Sequence, residues 1–123
     1  SVSQVLNFDD FTDGGGVSGY IDFTTDDIPA GSLVTGWKAV ITTGFTGDTT
    51  ATMEVGTSVD VSAWSGDTLV NALAAATVGS ASAEGTSFVV AAATPRVTVR
   101  GGSDFGLIAA GSMTVTVYYK PLD

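Results

Sequence analysis

Carboxylates are the most plentiful reactive groups in this sequence, and they are concentrated. Asp9, Asp10, Asp13, Asp22, Asp26 and Asp27 all fall within the first 27 residues, with no base before Lys38. Paired carboxylates do acid–base work in glycoside hydrolysis, and Glu54, with Asp60 or Asp104, is the pair the sequence offers. Glu54 alternates outward on a strand pattern, however, and solvated strand faces commonly carry such residues. The run Asp9-Asp10-Phe11-Thr12-Asp13-Gly14 places oxygen ligands at short spacing next to a glycine, but lacks the twelve-residue loop and closing glutamate of an EF-hand. Two readings stay open for it, a calcium loop and a solvated acidic arm.

What is missing narrows the chemistry further. The chain has no histidine and no cysteine, so the commonest general base, the commonest metal ligand and the thiolate nucleophile are all excluded. A serine–histidine–aspartate triad cannot be assembled, nor can a metal site of nitrogen or sulfur ligands. Neither Gly14-Gly15-Gly16 nor Gly101-Gly102 is followed by the lysine and helix that a phosphate loop requires. The residues point to no cofactor and to no enzyme.

Aromatic side chains offer a different use. Trp37, Trp64, Tyr118 and Tyr119 are candidates for a sugar-stacking platform. Trp37 and Tyr119 fall on apolar faces and read as core, whereas Trp64, within Ala63-Trp64-Ser65-Gly66-Asp67, sits among turn residues and reads as partly exposed. Phe8 and Phe11 lie inside the acidic run and should dock on their own domain or on a neighbouring subunit. A partner-binding set of Phe8, Asp9, Asp10, Phe11, Asp13 and Trp64 results.

These residues need a scaffold, and composition indicates which. The chain is 123 residues long, 44% hydrophobic, 14% charged and rich in glycine, which suits one domain of short strands joined by tight turns. Net charge is −9, arguing against nucleic acid or an anionic membrane as partner and in favour of solubility or a basic partner. The longest apolar run, Phe88 to Ala93, falls far short of the roughly 20 residues of a membrane helix. Ser-Val-Ser-Gln at the start lacks the basic and apolar regions of a secretory signal and reads as a start from which the initiator methionine was removed.

Period-two alternation runs through Ile21 and Phe23, through Leu33, Trp37, Ala39, Ile41 and Phe45, and through Ala51, Met53 and Val55. It continues briefly at Val59-Asp60-Val61 and resumes at Phe88 to Ala92. Val97 and Val99 then alternate with Arg96 and Arg100, and Met113, Val115, Val117 and Tyr119 with Thr114, Thr116, Tyr118 and Lys120. The triple glycine at 14–16 sets residues 1–16 apart as an N-terminal acidic arm or loosely attached first strand, leaving 17–123 as a single domain. Alanines near 68–76 favour one short helix, although a long loop suits the flanks nearly as well. The expected fold is all-β, a two-sheet antiparallel β-sandwich, jelly-roll-like, of about eight strands. Ile28-Pro29-Ala30-Gly31-Ser32-Leu33 is echoed by Ile108-Ala109-Ala110-Gly111-Ser112-Met113, as two corresponding jelly-roll corners would be.

The stretch Ile28 to Lys120 resembles a β-sandwich module frequent in tailed-phage virion proteins. Ile28-Pro29-Ala30-Gly31, Gly44-Phe45-Thr46-Gly47, the strand Ala51 to Gly56, Asp104-Phe105-Gly106 and Ala110 to Val115 before a Val-Tyr-Tyr strand carry the likeness. It implies a capsid decoration (cement) protein, a homotrimer over junctions of the major capsid protein on the virion surface, made in the host cytoplasm. Related modules occur in tail fibres and receptor-binding tips, so a receptor- or carbohydrate-binding module is the alternative. The lone module with an acidic arm and no fibrous segment favours cement. Such a bridge would gain from multivalency on the assembled lattice, and a small rigid sandwich has little conformational entropy to lose.

Overall fold

The computed structural model describes residues 1–67, 69–82 and 88–122. They form ten strands: β1 (Val2–Asn7), β2 (Thr12–Asp13), β3 (Ser18–Asp22), β4 (Ser32–Thr46), β5 (Ala51–Gly56), β6 (Val70–Asn71), β7 (Ala76–Ala81), β8 (Phe88–Val89), β9 (Arg96–Gly101) and β10 (Ala110–Pro121). Two antiparallel sheets contain them. Sheet A runs β1-β10-β4-β7, with β8 also paired to β4, and sheet B runs β2-β3-β9-β5-β6.

The order of pairing follows one rule. The chain behaves as a single long hairpin rolled up. β5 pairs β6 at its hinge, β4 pairs β7, β3 pairs β9, and β1 pairs β10. Rolling then joins β10 to β4 and β9 to β5, which closes each sheet. With β2 and β8 as short additions, this is the jelly-roll arrangement of two packed sheets, and the expected fold class holds.

Alternation places the core between the sheets. Met113, Val115 and Val117 of β10 face Val97 and Val99 of β9 and Met53 and Val55 of β5, all fully buried. Arg96 and Arg100 point outward, as the pattern indicates. In β4, Trp37, Ala39, Ile41 and Phe45 are buried, but Val34 takes the inward place instead of Leu33. An irregularity in register between Tyr118 and Tyr119 of β10, opposite Gly36 and Val34, shifts the parity there.

One end of the core is closed by aromatic rings. Phe11 meets Phe45 edge-on at 5.8 Å and Phe105 at 5.8 Å with a tilt of 33°. A glycine in each sheet makes room for these rings. A Cβ at Gly111 would lie 2.5 Å from the Phe45 ring, and one at Gly19 would lie 2.6 Å from the Phe105 ring.

Three expectations need correction. Residues 1–16 are not an arm: β1 pairs with β10 from Val2↔Val117 to Asn7↔Ser112, and Leu6 and Phe11 are buried. Gln4 marks the inward side between Val2 and Leu6, and its Oε1 accepts from the Thr24 and Thr25 N–H groups, so a polar residue is held there without loss. No helix occupies the alanine-rich stretch near 68–76 among the described residues, Thr68 lying outside them. Val70–Asn71 pairs antiparallel with β5, and Ala76–Ala81 takes the free side of β4. An available sheet edge overrides alanine's helix preference. The third concerns Val59-Asp60-Val61, which is turn rather than strand, with Val59 fully in solvent.

Gly31 directly precedes β4, whereas Gly111 is the second residue of β10; the two strands are adjacent at the middle of sheet A. Their duties differ. Gly31 holds a φ of 80° with open space around it, whereas Gly111 yields its volume to Phe45.

Candidate functional site

Segments 8–17, 47–50, 72–75 and 102–109 converge at the end of the sandwich where β1 finishes and β10 begins. They bring together Asp9, Asp10, Asp13, Asp48 and Asp104 and contain no basic residue. The chain path explains each position. Asp9 and Asp10 lie in a single 3-10 turn after β1, and Asp13 ends β2, its Oδ1 accepting from Gly15 N–H at 2.8 Å. Asp104 caps the turn Phe105–Leu107 by accepting from Gly106 N–H at 2.9 Å.

Asp48 ties two connections together. Its Oδ2 accepts from Ser103 N–H at 2.8 Å and Asp104 N–H at 2.9 Å, and its Oδ1 from Thr49 N–H at 2.6 Å. Backbone donors favour the charged form. The N–H groups of Asp104, Ser103 and Thr49 hold this carboxyl at about 2, well below the usual range. Asp48 therefore keeps its charge well into acid. Among the described residues no three of its carboxylates are arranged to hold a metal ion.

Of the residues singled out in sequence, Asp9, Asp10 and Asp13 are exposed here. The aromatics are not available. Phe8 packs partly buried on the core and Phe11 is inside it. Trp64 is 1% exposed, so its expected exposure is corrected: Trp64 and Ser65 N–H both donate to Val55 O, and Ser65 Oγ accepts from Val55 N–H. The turn-rich segment wraps against the end of β5 and tucks the indole into the core. Asp48, and the place of Asp104 beside it, are not legible in the sequence, because two aspartates in separate turns give no sign that they share a corner.

Glu54 does not meet its suggested partners. Asp60 lies beyond the Gly56 end of β5 and Asp104 beyond the Gly101 end of β9, at opposite ends of sheet B. Glu54 instead accepts from Arg100 Nε at 2.7 Å and is 5% exposed. Nearby, Arg96 clasps Asp22 through Nε at 2.7 Å and Nη2 at 3.0 Å and lies 4.0 Å over the Tyr20 ring. That hydrogen bond, opposed in part by burial, raises the already high affinity of Arg96 for its proton.

The outer face of sheet A is different. Its five strands contain both lysines of the chain and no carboxylate. Lys38 and Lys120 make no ion pair among the described residues. A trough of about 430 Å³ crosses this face, lined by Thr35 to Lys38, Thr77 to Ala81 and Tyr118. Cross-strand partners set it out: Tyr118, Gly36 and Ala81 in one row, Thr116, Lys38 and Gly79 in the next. Tyr118, 38% exposed, is the platform aromatic that remains in solvent. Comparison with known protein families, with characterised proteins and with solved structures finds no match for this chain.

Proposed function

We propose that this chain is a structural virion protein, a capsid decoration protein that docks on the outer shell by its acidic end and stabilises it without catalysis. The observation that carries this reading is the five carboxylates on Asp9, Asp10, Asp13, Asp48 and Asp104 gathered at one end with no cation among them. A rigid rolled sandwich fixes that charge in place, so docking costs little conformational entropy. The jelly roll is an architecture used by viral capsid and lectin domains, and the likeness of Ile28–Lys120 to virion modules points the same way. Under this reading the partner is the major capsid protein, the protein is a homotrimer bridging capsid subunits, and neither nucleic acid nor membrane is involved.

The test is co-sedimentation with shells of the partner capsid. Because β1 is part of sheet A, deleting residues 1–16 would damage the fold, and the charge variant Asp9→Asn/Asp10→Asn/Asp13→Asn is the sound probe. Binding should fall in the variant and also on adding salt, since exposed charges are screened beyond roughly 8–10 Å. Equal binding by the variant, or a flat salt response, counts against the acidic end. Light scattering should give a trimer, and intact particles should carry hundreds of copies, an order-of-magnitude expectation for a lattice-wide contact. A second reading, a receptor- or carbohydrate-binding module of a tail fibre or tip, loses Trp64 but is favoured by the trough beside Tyr118.

A further inference from the structure

We propose that the trough on sheet A is a binding site for an acidic sugar, a pyranose ring bearing a carboxylate. The inference takes its ligand class from the second reading above, and it does not depend on whether the domain is mounted on a shell or on a fibre.

Three observations on one face specify the ligand. Tyr118 offers an aromatic face in solvent, and an apolar ring with a polar tip suits a ligand that is apolar on one side and hydroxylated at its rim. Beside it, Gly36 and Gly79 leave the floor without side chains. Neither position can take one: a Cβ at Gly36 would lie 2.8 Å from Ser80 O, and one at Gly79 would lie 2.5 Å from Trp37 O. A flat ligand can therefore approach the sheet backbone closely. The trough's volume, about 430 Å³, falls within the roughly 300–1,000 Å³ range of small-molecule sites.

Charge selects among sugars. With a net charge of −9 the protein as a whole repels anions. Yet Lys38 lies in the trough wall, Lys120 two residues beyond Tyr118 on β10, and no strand of this sheet carries a carboxylate to neutralise either. A neutral sugar leaves Lys38 unanswered. A carboxylate on the ring answers it, while the Thr77 hydroxyl, on the same face as Lys38, remains for a ring hydroxyl.

Titration calorimetry of the full chain with 3′-sialyllactose, digalacturonate and lactose tests the proposal. At least one acidic sugar should bind about tenfold more tightly than lactose, the worth of one charge-assisted hydrogen bond. Lys38→Gln should remove that preference, and Tyr118→Ala should weaken acidic-sugar binding by more than about tenfold, as loss of an aromatic anchor does. Tyr118→Phe, which keeps the ring, should retain it. The proposal is overturned by absence of binding, by equal affinity for lactose and the acidic sugars, or by binding that survives Tyr118→Ala. It is overturned equally if sedimentation shows Lys38→Gln and Tyr118→Ala breaking an oligomer, since the face would then be an interface between copies. Capsid co-sedimentation of the same variants reads the acidic end separately, so the two proposals fail independently.

Discussion

The two outer faces of this sandwich are built from the same kind of strand and treat charge in opposite ways. On sheet B, Arg96 answers Asp22 and Arg100 answers Glu54, with Tyr20 stacked under the guanidinium of Arg96. Every strand charge on β3, β5 and β9 has its counterpart within the sheet. On sheet A, Lys38 and Lys120 have none among the described residues, and the ring of Tyr118 stands in water beside two glycines. A face that satisfies itself needs no partner; a face with unanswered cations, an exposed ring and a trough has capacity left over. In a protein with net charge −9, keeping carboxylates off all the strands of one sheet is a separation that solubility alone does not require.

Substitutions that strand a charge should damage sheet B most. Arg100→Leu leaves the Glu54 carboxyl without its partner at 7% side-chain exposure, and we expect a loss of about 2 kcal/mol in urea denaturation, reduced from a fully buried pair because Arg100 is itself partly exposed. The reciprocal Glu54→Leu frees an arginine that can reach water, and should cost less than about 1 kcal/mol. A reversed ranking would show that the pair is not held by burial of its carboxylate. Asp22→Ala releases a bidentate but half-exposed clasp, for an expected loss of about 1 kcal/mol. On sheet A, Lys38→Gln and Tyr118→Ala should each move stability by under about 0.5 kcal/mol. A larger change there would mean the face serves the fold, and the contrast between the sheets would collapse.

A separate effect is expected of pH. The folded-state carboxyl of Asp48 sits at about 2 against an ordinary 3.8. A depressed carboxyl contributes stability above its unfolded value and loses it as pH falls through the folded one. Acid unfolding of the protein should therefore steepen between about pH 4 and 2, and Asp48→Ala should flatten that limb. Matching acid limbs in the two proteins would show that the three backbone hydrogen bonds do not depend on ionisation.

Strand alternation made much of this architecture legible before any coordinates. β5, β9 and β10 are two-residue patterns whose inward positions are all apolar and all buried, although Glu54 and Thr98 on the outward side are covered as well. β1 is hidden because Gln4 occupies an inward position, and the groups that satisfy it, Thr24 and Thr25, lie far along the chain. Trp64 is misplaced for a related reason: local turn chemistry says where a chain bends, but not whether the bend folds over the core. The alanines before β7 favour helix until β4 offers an unpaired edge. Asp9, Asp10 and Asp13 are visible in sequence as a charge run, whereas Asp48 and Asp104 join them only because β4–β5 and β9–β10 turn at one end. The absence of carboxylates on sheet A became meaningful only once its five strands were known to be neighbours.

The rolled hairpin also imposes a sequence in time. Thr52 meets Asn71 across a short stretch of chain, Val40 meets Thr77 across a longer one, Ile21 meets Val97 across most of it, and Val2 meets Val117 last. The entropy of closing a loop rises with its length, so each pairing shortens the effective loop that the next must close. Folding should nucleate at the β5–β6 hinge and zip outward through β4–β7, with β1 docking after the rate-limiting step. Truncating Leu6 to alanine would then accelerate unfolding and leave the folding rate nearly unchanged, while truncating Met53 would slow folding itself.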